Sequence, residues 1–310
     1  MSSVIVFGAA GVVAGAAAIE TRKRGATVWL SVRQAELGAL NRIGELDEVK
    51  GYRRVIADLT DPSTIAEAIK ISGATAAFLY TVFACEDGMK TVFEALRDAG
   101  VTYVVLLSSY AVKDPLSSME KTKGSSWHHA QAEIALNEVG IDAAILRPMY
   151  FCSNLFLVTH SAKHGVVELF RPNTLFDFIV PEDIGTSAGA LLATQESKGT
   201  ILLNGPDLMS MQDAIRVVAG TAGRSIEIRE IDEQAFKKNL SHLPEVDLQS
   251  LIANHIEYST TPAERLFPKH AEAVANLRRY GGQVTSIANW ARGSELGQGK
   301  RTYGYDTWSA

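Results

Sequence analysis

Cysteine is nearly absent: Cys85 and Cys152 are the only two among 310 residues. Two thiols cannot build a disulfide framework, and neither stands at metal-ligand spacing, so a reducing compartment fits. A positive surplus is also missing. Thirty Lys and Arg against 35 Asp and Glu leave a formal net charge of -5. With no basic stripe to neutralise phosphates, nucleic acid is excluded as a main partner. The short runs Arg22-Lys23-Arg24 and Arg278-Arg279 read as solvated helix ends. No uncharged apolar run reaches membrane-spanning length, so no membrane partner is expected. The apolar N-terminus lacks a basic leader, and Gly8 and Gly11 interrupt it, which argues against a secretory signal. The expectation is a soluble, cytoplasmic protein. What is present is ordinary globular material, 46% hydrophobic and 21% charged, enough for one large domain or two joined ones.

The most informative segment is Val4-Ile5-Val6-Phe7-Gly8-Ala9-Ala10-Gly11-Val12-Val13-Ala14. An apolar strand-like run meets two glycines three apart and continues into a helix-compatible stretch, with small Ala14 at the third glycine position. This is the order of a dinucleotide-binding turn, in which a helix N-terminus meets a diphosphate. The expected cofactor contacts there are Gly8, Ala10, Gly11 and Val12.

To about Pro148 the chain alternates strand-like runs (3–7, 27–32, 53–57, 75–81, 102–107, 142–146) with helical ones (11–24, 61–71, 87–99, 125–138). The strands are continuously apolar, as expected when both faces of a parallel sheet are covered. The fold class is therefore α/β, a Rossmann-like doubly wound parallel sheet. Residues 1–150 form its nucleotide-binding domain and 178–204 return to it. Residues 151–177 and 205–292 read as a smaller, mainly helical C-terminal substrate lobe, with helices at about 152–164, 210–222, 232–242, 245–257, 262–267 and 284–292. Residues 293–310, with Tyr303, Tyr305 and Trp308, are either a frayed tail or an arm, leaving room for a homodimer.

After the second strand an NAD site usually places a carboxylate, whereas an NADP site supplies a cation. Here Arg33 stands there and no acid occurs before Glu36, which points to NADP. Asp58 and Leu59 end the third strand, where the adenine edge would lie. Thr81 follows the fourth strand, Ser108-Ser109-Tyr110 the fifth and Tyr150 the sixth. Ligands in open α/β sheets lie outside the carboxyl ends of strands, so these groups are expected to face cofactor and substrate. His160 and His164, four apart, have no third ligand in view, and no metal site is expected.

The glycine turn, Arg33, Asp58, Ser108-Ser109 and Leu146-Arg147-Pro148-Met149-Tyr150-Phe151-Cys152-Ser153-Asn154 together resemble the NmrA-like family, atypical members of the short-chain dehydrogenase/reductase superfamily. Asp177-Phe178-Ile179-Val180-Pro181-Glu182-Asp183-Ile184-Gly185 resembles the family's following segment. The resemblance covers about residues 3 to 204. It implies a Rossmann fold with NADP, and either reductases and isomerases of small molecules or redox-sensing regulators that bind NADP without turnover.

The superfamily's Tyr-x-x-x-Lys helix departs from pattern. Many NmrA-like members keep only the lysine, two positions before a glutamate. Alignment on Glu133 puts Gln131 at the lysine position and Trp127 at the tyrosine position. Gln131 can hydrogen-bond ribose hydroxyls but carries no charge. Reduction of a carbonyl still needs a proton. His128 and His129 on the same helix, and Tyr110, are the substitute donors. The leading expectation is an NADP-dependent reductase of a hydrophobic carbonyl or quinone-like small molecule. The alternatives are a non-catalytic NADP-binding sensor and a non-redox isomerase or cyclase.

Overall fold

The apolar runs pair into parallel strands because each buries both faces. The computed structural model describes residues 2–33, 51–121, 124–158 and 165–293. Its first half runs β1 (Ser3–Val6), α1 (Val12–Lys23), β2 (Thr27–Val32), β3 (Arg53–Ile56), α2 (Pro62–Ser72), β4 (Ala76–Tyr80), α3 (Lys90–Asp98), β5 (Tyr103–Leu107), α4 (Ser125–Val139) and β6 (Asp142–Pro148). There follow β7 (Tyr150–Phe151), α5 (Leu155–Val158), β8 (Val166–Phe170), β9 (Leu175–Ile179), α6 (Pro181–Thr194), β10 (Gly199–Leu203), β11 (Asp207–Ser210), α7 (Met211–Thr221) and β12 (Glu227–Ile231). The chain then continues through α8 (Glu233–Asn239), α9 (Glu245–Thr260), α10 (Ala263–Leu266), α11 (His270–Gly281) and α12 (Ile287–Gly293).

Seven strands form one parallel sheet in the order β10-β6-β5-β4-β1-β2-β3. The order reverses between β1 and β4, and this opens a crevice at the carboxyl edge. Helices α1, α6 and α11 cover one face through residues such as Ala17, Ala18, Ile184, Leu191 and Leu277. Helices α2, α3 and α4 cover the other through Ile65, Ile69, Phe93, Leu96 and Leu136. Helix α1 lies against α6 at backbone distance: a Cβ on Gly185 or Gly189 would collide with the Val13 or Ala17 carbonyl. Thr21 Oγ1 donates to the Gly189 carbonyl at 3.2 Å within this contact. Asp61 starts α2 by accepting from the Ser63 N–H at 3.1 Å, with Pro62 in the first turn.

The C-terminal half adds the sheets β11-β9-β7 and β12-β8; the strand-like stretches near 175–180 and 225–231 form β9 and β12, whereas β7, β8 and β11 have no counterpart in the sequence pattern. Of the helix expected over 152–164, the described part is a 3-10 turn at Cys152–Asn154 that runs into α5. Residues 159–164, including His160 and His164, lie outside the described residues, as does the tail beyond Gly293. Helix α11 was not anticipated, although Ala273, Val274, Leu277 and Tyr280 carry its buried stripe. It packs on α6 and β10 rather than within the lobe. Two carboxylates strap this return: buried Asp183 accepts from the Thr285 N–H at 2.7 Å, and half-buried Asp207 from the Ile287 N–H at 2.8 Å. Among the described residues no helix is long and apolar enough to cross a membrane.

Candidate functional site

The glycine turn sits at the crevice between β1 and β4. Gly8 has φ +72°, and a Cβ there would lie 2.6 Å from Tyr80 Cε1. Two constraints thus demand glycine: a left-handed backbone and the Tyr80 ring against it. Gly11 closes the turn by donating its N–H to the Gly8 carbonyl at 2.8 Å, and it caps α1. The first turn of α1 has neither a side-chain cap nor an acidic residue. Its leading N–H groups, starting with Val12, have no intrahelical acceptors and face outward beside exposed Ala10. A turn of this kind can cradle an anion of diphosphate type.

Arg33 and Asp58 converge on the same place. Burial pushes the Tyr80 phenol pKa up; the Arg33 cation opposes this and the Asp58 carboxylate reinforces it. Arg33 is exposed at the end of β2. Asp58 Oδ1 accepts from the N–H and hydroxyl of Thr60, both at 2.8 Å, which fixes the turn after β3. Leu59 is buried below, and its carbonyl accepts from Cys85 Sγ at 3.7 Å. Sequence reasoning placed Tyr80 at a strand end but missed its contact with Gly8; its position four residues into an apolar strand gave no such signal.

At the end of β4, Thr81 meets His129 from the first turns of α4. His129 Nδ1 lies 2.9 Å from Thr81 Oγ1, and Thr81 Oγ1 donates to the Leu107 carbonyl at 3.4 Å. Burial pushes the His129 imidazolium pKa down to about 3, with His128 adding to the effect. The ring is therefore neutral at physiological pH. Beside it is an aromatic group. Phe83 stacks on His128 at 5.0 Å and meets His129 edge-on at 5.4 Å, and Trp127 meets His128 edge-on at 5.0 Å. Burial lowers the His128 pKa, and Lys121, whose ammonium sits over Trp127, lowers it further. Phe83, Trp127 and His128 are all half-buried. Gln131 packs its backbone and Cβ against Gly88 in the loop before α3.

The end of β5 is different. Ser108 is buried and donates its hydroxyl to Glu133 Oε1, so it does not open onto the crevice as expected. Glu133 accepts from Arg147 Nε at 3.0 Å and Nη2 at 2.6 Å, and Arg147 also reaches both oxygens of Asp114. Burial alone would lower the Arg147 pKa, but the hydrogen bonds it donates to Glu133 and Asp114 overcome it and hold the guanidinium charged. Tyr110 likewise leaves the crevice. Its hydroxyl donates to the Leu266 carbonyl at 2.7 Å, and burial pushes its pKa up to about 12. It is a tie to the C-terminal lobe, not a poised acid. Tyr150 packs on Phe176 with centroids 4.2 Å apart, inside the lobe's core.

These features bear comparison with known proteins. The model of the NmrA-like family matches residues 1–288. The Nitrogen metabolite regulation-like protein bik4 of Gibberella fujikuroi is 31% identical over 280 residues, spanning 83% of this chain and 86% of that protein. The chain belongs to the NmrA-like family. Among solved structures, this NmrA-like protein resembles the NADPH-dependent quinone oxidoreductase QOR2 of Escherichia coli in complex with NADPH. The TM-score is 0.72 at 19% identity, over 93% of this chain and 98% of that one. It also resembles NmrA, a negative transcriptional regulator, in complex with NADP, with a TM-score of 0.68 at 14% identity over 94% of each chain. At these identities the likeness shows the Rossmann-type fold.

Proposed function

We propose that this NmrA-like protein binds NADP(H) along the carboxyl edge of its sheet and reduces a planar, electron-poor acceptor of quinone type. The cradle at Gly8–Val12 suits the diphosphate. Arg33, without a carboxylate beside it on β2, suits a 2′-phosphate, and Asp58 borders the adenosine end. The nicotinamide, when bound, supplies a hydride. Phe83, Trp127 and His128 offer a half-buried aromatic wall beside Thr81 and His129, against which a flat acceptor would stack.

One observation carries this choice of acceptor: the Tyr110 hydroxyl is spent on the Leu266 carbonyl, and burial disfavours the protonated form of both His129 and His128. Hydride addition to a simple ketone yields a strongly basic alkoxide that needs an acid in the transition state. Hydride addition to a quinone yields a hydroquinone monoanion, whose charge spreads over the ring and whose acidity is phenol-like, about 10. Water then supplies the final proton. The test is NADPH oxidation followed against a quinone panel and an aliphatic ketone panel. Quinones alone should be consumed; comparable ketone turnover abolished by His128→Ala would sink the reading. A second reading, an NADP-binding regulator, draws on the same lack of a poised acid and on the names of bik4 and NmrA. Form-dependent nucleotide binding with no turnover of any quinone would favour it.

A further inference from the structure

Helix α4 begins without a cap of its own. Gly124 precedes it at φ +60° and has no side chain to offer the leading N–H groups. The acceptor comes from the C-terminal lobe. Ser250 Oγ, on α9, accepts from the Ser125 N–H at 3.0 Å, across 125 residues of chain. A backbone N–H can only donate, so the direction of this contact is fixed. The Ser125 hydroxyl lies 3.1 Å from the same oxygen. Ser250 is 9% exposed, and its Oγ lies 2.9 Å from the Val246 carbonyl of its own helix. A Cβ on Gly124 would collide with Ser250 Oγ and with the Val246 carbonyl, so the chain enters α4 pressed against α9. Both the positive φ and this contact demand glycine there.

The rest of α9 belongs to the lobe. Leu248 and Ile252 pack with Phe236 and Leu240, and Tyr258 packs with Phe176 and Phe178. Ser250 therefore carries the placement of the lobe to the start of α4. Trp127 and His128 follow within that first turn, and the Trp127 N–H closes it on the Gly124 carbonyl at 3.0 Å. Phe83, which stacks on His128 at 5.0 Å, comes instead from the loop after β4. The aromatic wall thus has two halves of different origin, one held by the sheet and one by the lobe. We infer that Ser250 is a positioning residue: by capping α4 from α9 it sets Trp127 and His128 against Phe83, so that the lobe governs affinity for the acceptor but not for the nucleotide. Without the hydroxyl, the first turn of α4 loses its acceptor and frays. The arrangement competent to stack a flat acceptor is then less populated, and apparent affinity falls by that fraction. The effect on the acceptor rests on the quinone reading and deepens it, whereas the cap itself does not depend on it.

Two readouts on the full chain test it. In the ligand-free protein, acrylamide quenching of Trp127 is obtained by difference between each variant and its Trp127→Phe counterpart. Quenching should rise in Ser250→Ala and stay at the wild-type level in Ser250→Thr, which keeps the hydroxyl. It should also stay there in Tyr110→Phe, which cuts a different tie between lobe and sheet. Steady-state kinetics with NADPH and a quinone then compares the same proteins. Ser250→Ala should raise the KM for the quinone by up to about 5-fold, the size of one helix cap. Its kcat and its KM for NADPH should stay within about 2-fold of wild type on that scale, and Ser250→Thr should recover the quinone KM. Unchanged Trp127 quenching in Ser250→Ala would overturn the inference. Equal changes in Ser250→Ala and Tyr110→Phe, or parallel rises in KM for quinone and NADPH, would also overturn it by marking Ser250 as merely structural. Wild type that turns over no quinone would overturn the acceptor reading itself, a result separate from the ligand-free quenching series.

Discussion

The ends of β4 and β5 look alike in sequence, each an apolar strand running into hydroxyl-bearing residues, yet they serve opposite ends. At β5 three polar side chains are engaged by the fold: Ser108 on Glu133, Glu133 on Arg147, Tyr110 on Leu266. At β4 the Thr81–His129 pair keeps one ring nitrogen unengaged beside a half-buried aromatic wall. A strand-end hydroxyl therefore marks a ligand site only where its neighbours leave hydrogen-bonding capacity over.

The comparison breaks most visibly at Glu133. Glu133→Ala strands the Arg147 cation, 4% exposed, without its buried partner. Denaturant unfolding should show a loss of roughly 3–5 kcal/mol. Thr81→Val at the other strand end should cost no more than about 1 kcal/mol. Equal costs would erase the distinction.

Acid separates neutral buried histidines from the rest. His255 is buried, its Nδ1 lies 3.1 Å from the Phe170 carbonyl, and burial pushes its pKa down to about 4. The unfolded chain takes up this proton near pH 6.5 and the folded chain does not. The stability involved is full above pH 6.5 and is lost as pH falls toward 4, on the order of 3 kcal/mol. Asp177 acts oppositely: burial raises its pKa to about 6, so protonation favours the folded state as pH falls from 6 toward 3.8. His255→Phe should flatten the acid decline in a pH series of melting curves; an unchanged slope would count against a neutral His255.

Tyr110→Phe is the gentlest test. It removes one interlobe hydrogen bond, worth about 1 kcal/mol, and should leave quinone-dependent NADPH oxidation intact. A large fall in rate with little change in melting temperature would return Tyr110 to the chemistry and undo the contrast between the strand ends.

Much of the fold was legible in the chain. Continuous apolar strands, Asp61-Pro62 and the glycine turn are local signals, and each marks an element the structure contains. Helix α11 was missed, although the spacing of Ala273, Val274, Leu277 and Tyr280 carries its buried stripe. The Ser108–Glu133–Arg147–Asp114 network was not legible, because its members come from one strand, one helix and two positions in the loop after β5. Nor was the fate of Tyr110, whose partner is a backbone carbonyl 156 residues away.

By itself the sequence determined the parallel sheet, the anion cradle at the start of α1 and the placing of polar residues at the carboxyl edge. Those properties follow from periodicity and from backbone geometry along the chain. Which of the edge residues remain available to a ligand was decided only by the tertiary structure. Hydrogen-bond capacity is used up by neighbours in space, and α4 and the C-terminal lobe bring those neighbours to β5 while leaving His129 Nε2 open at β4.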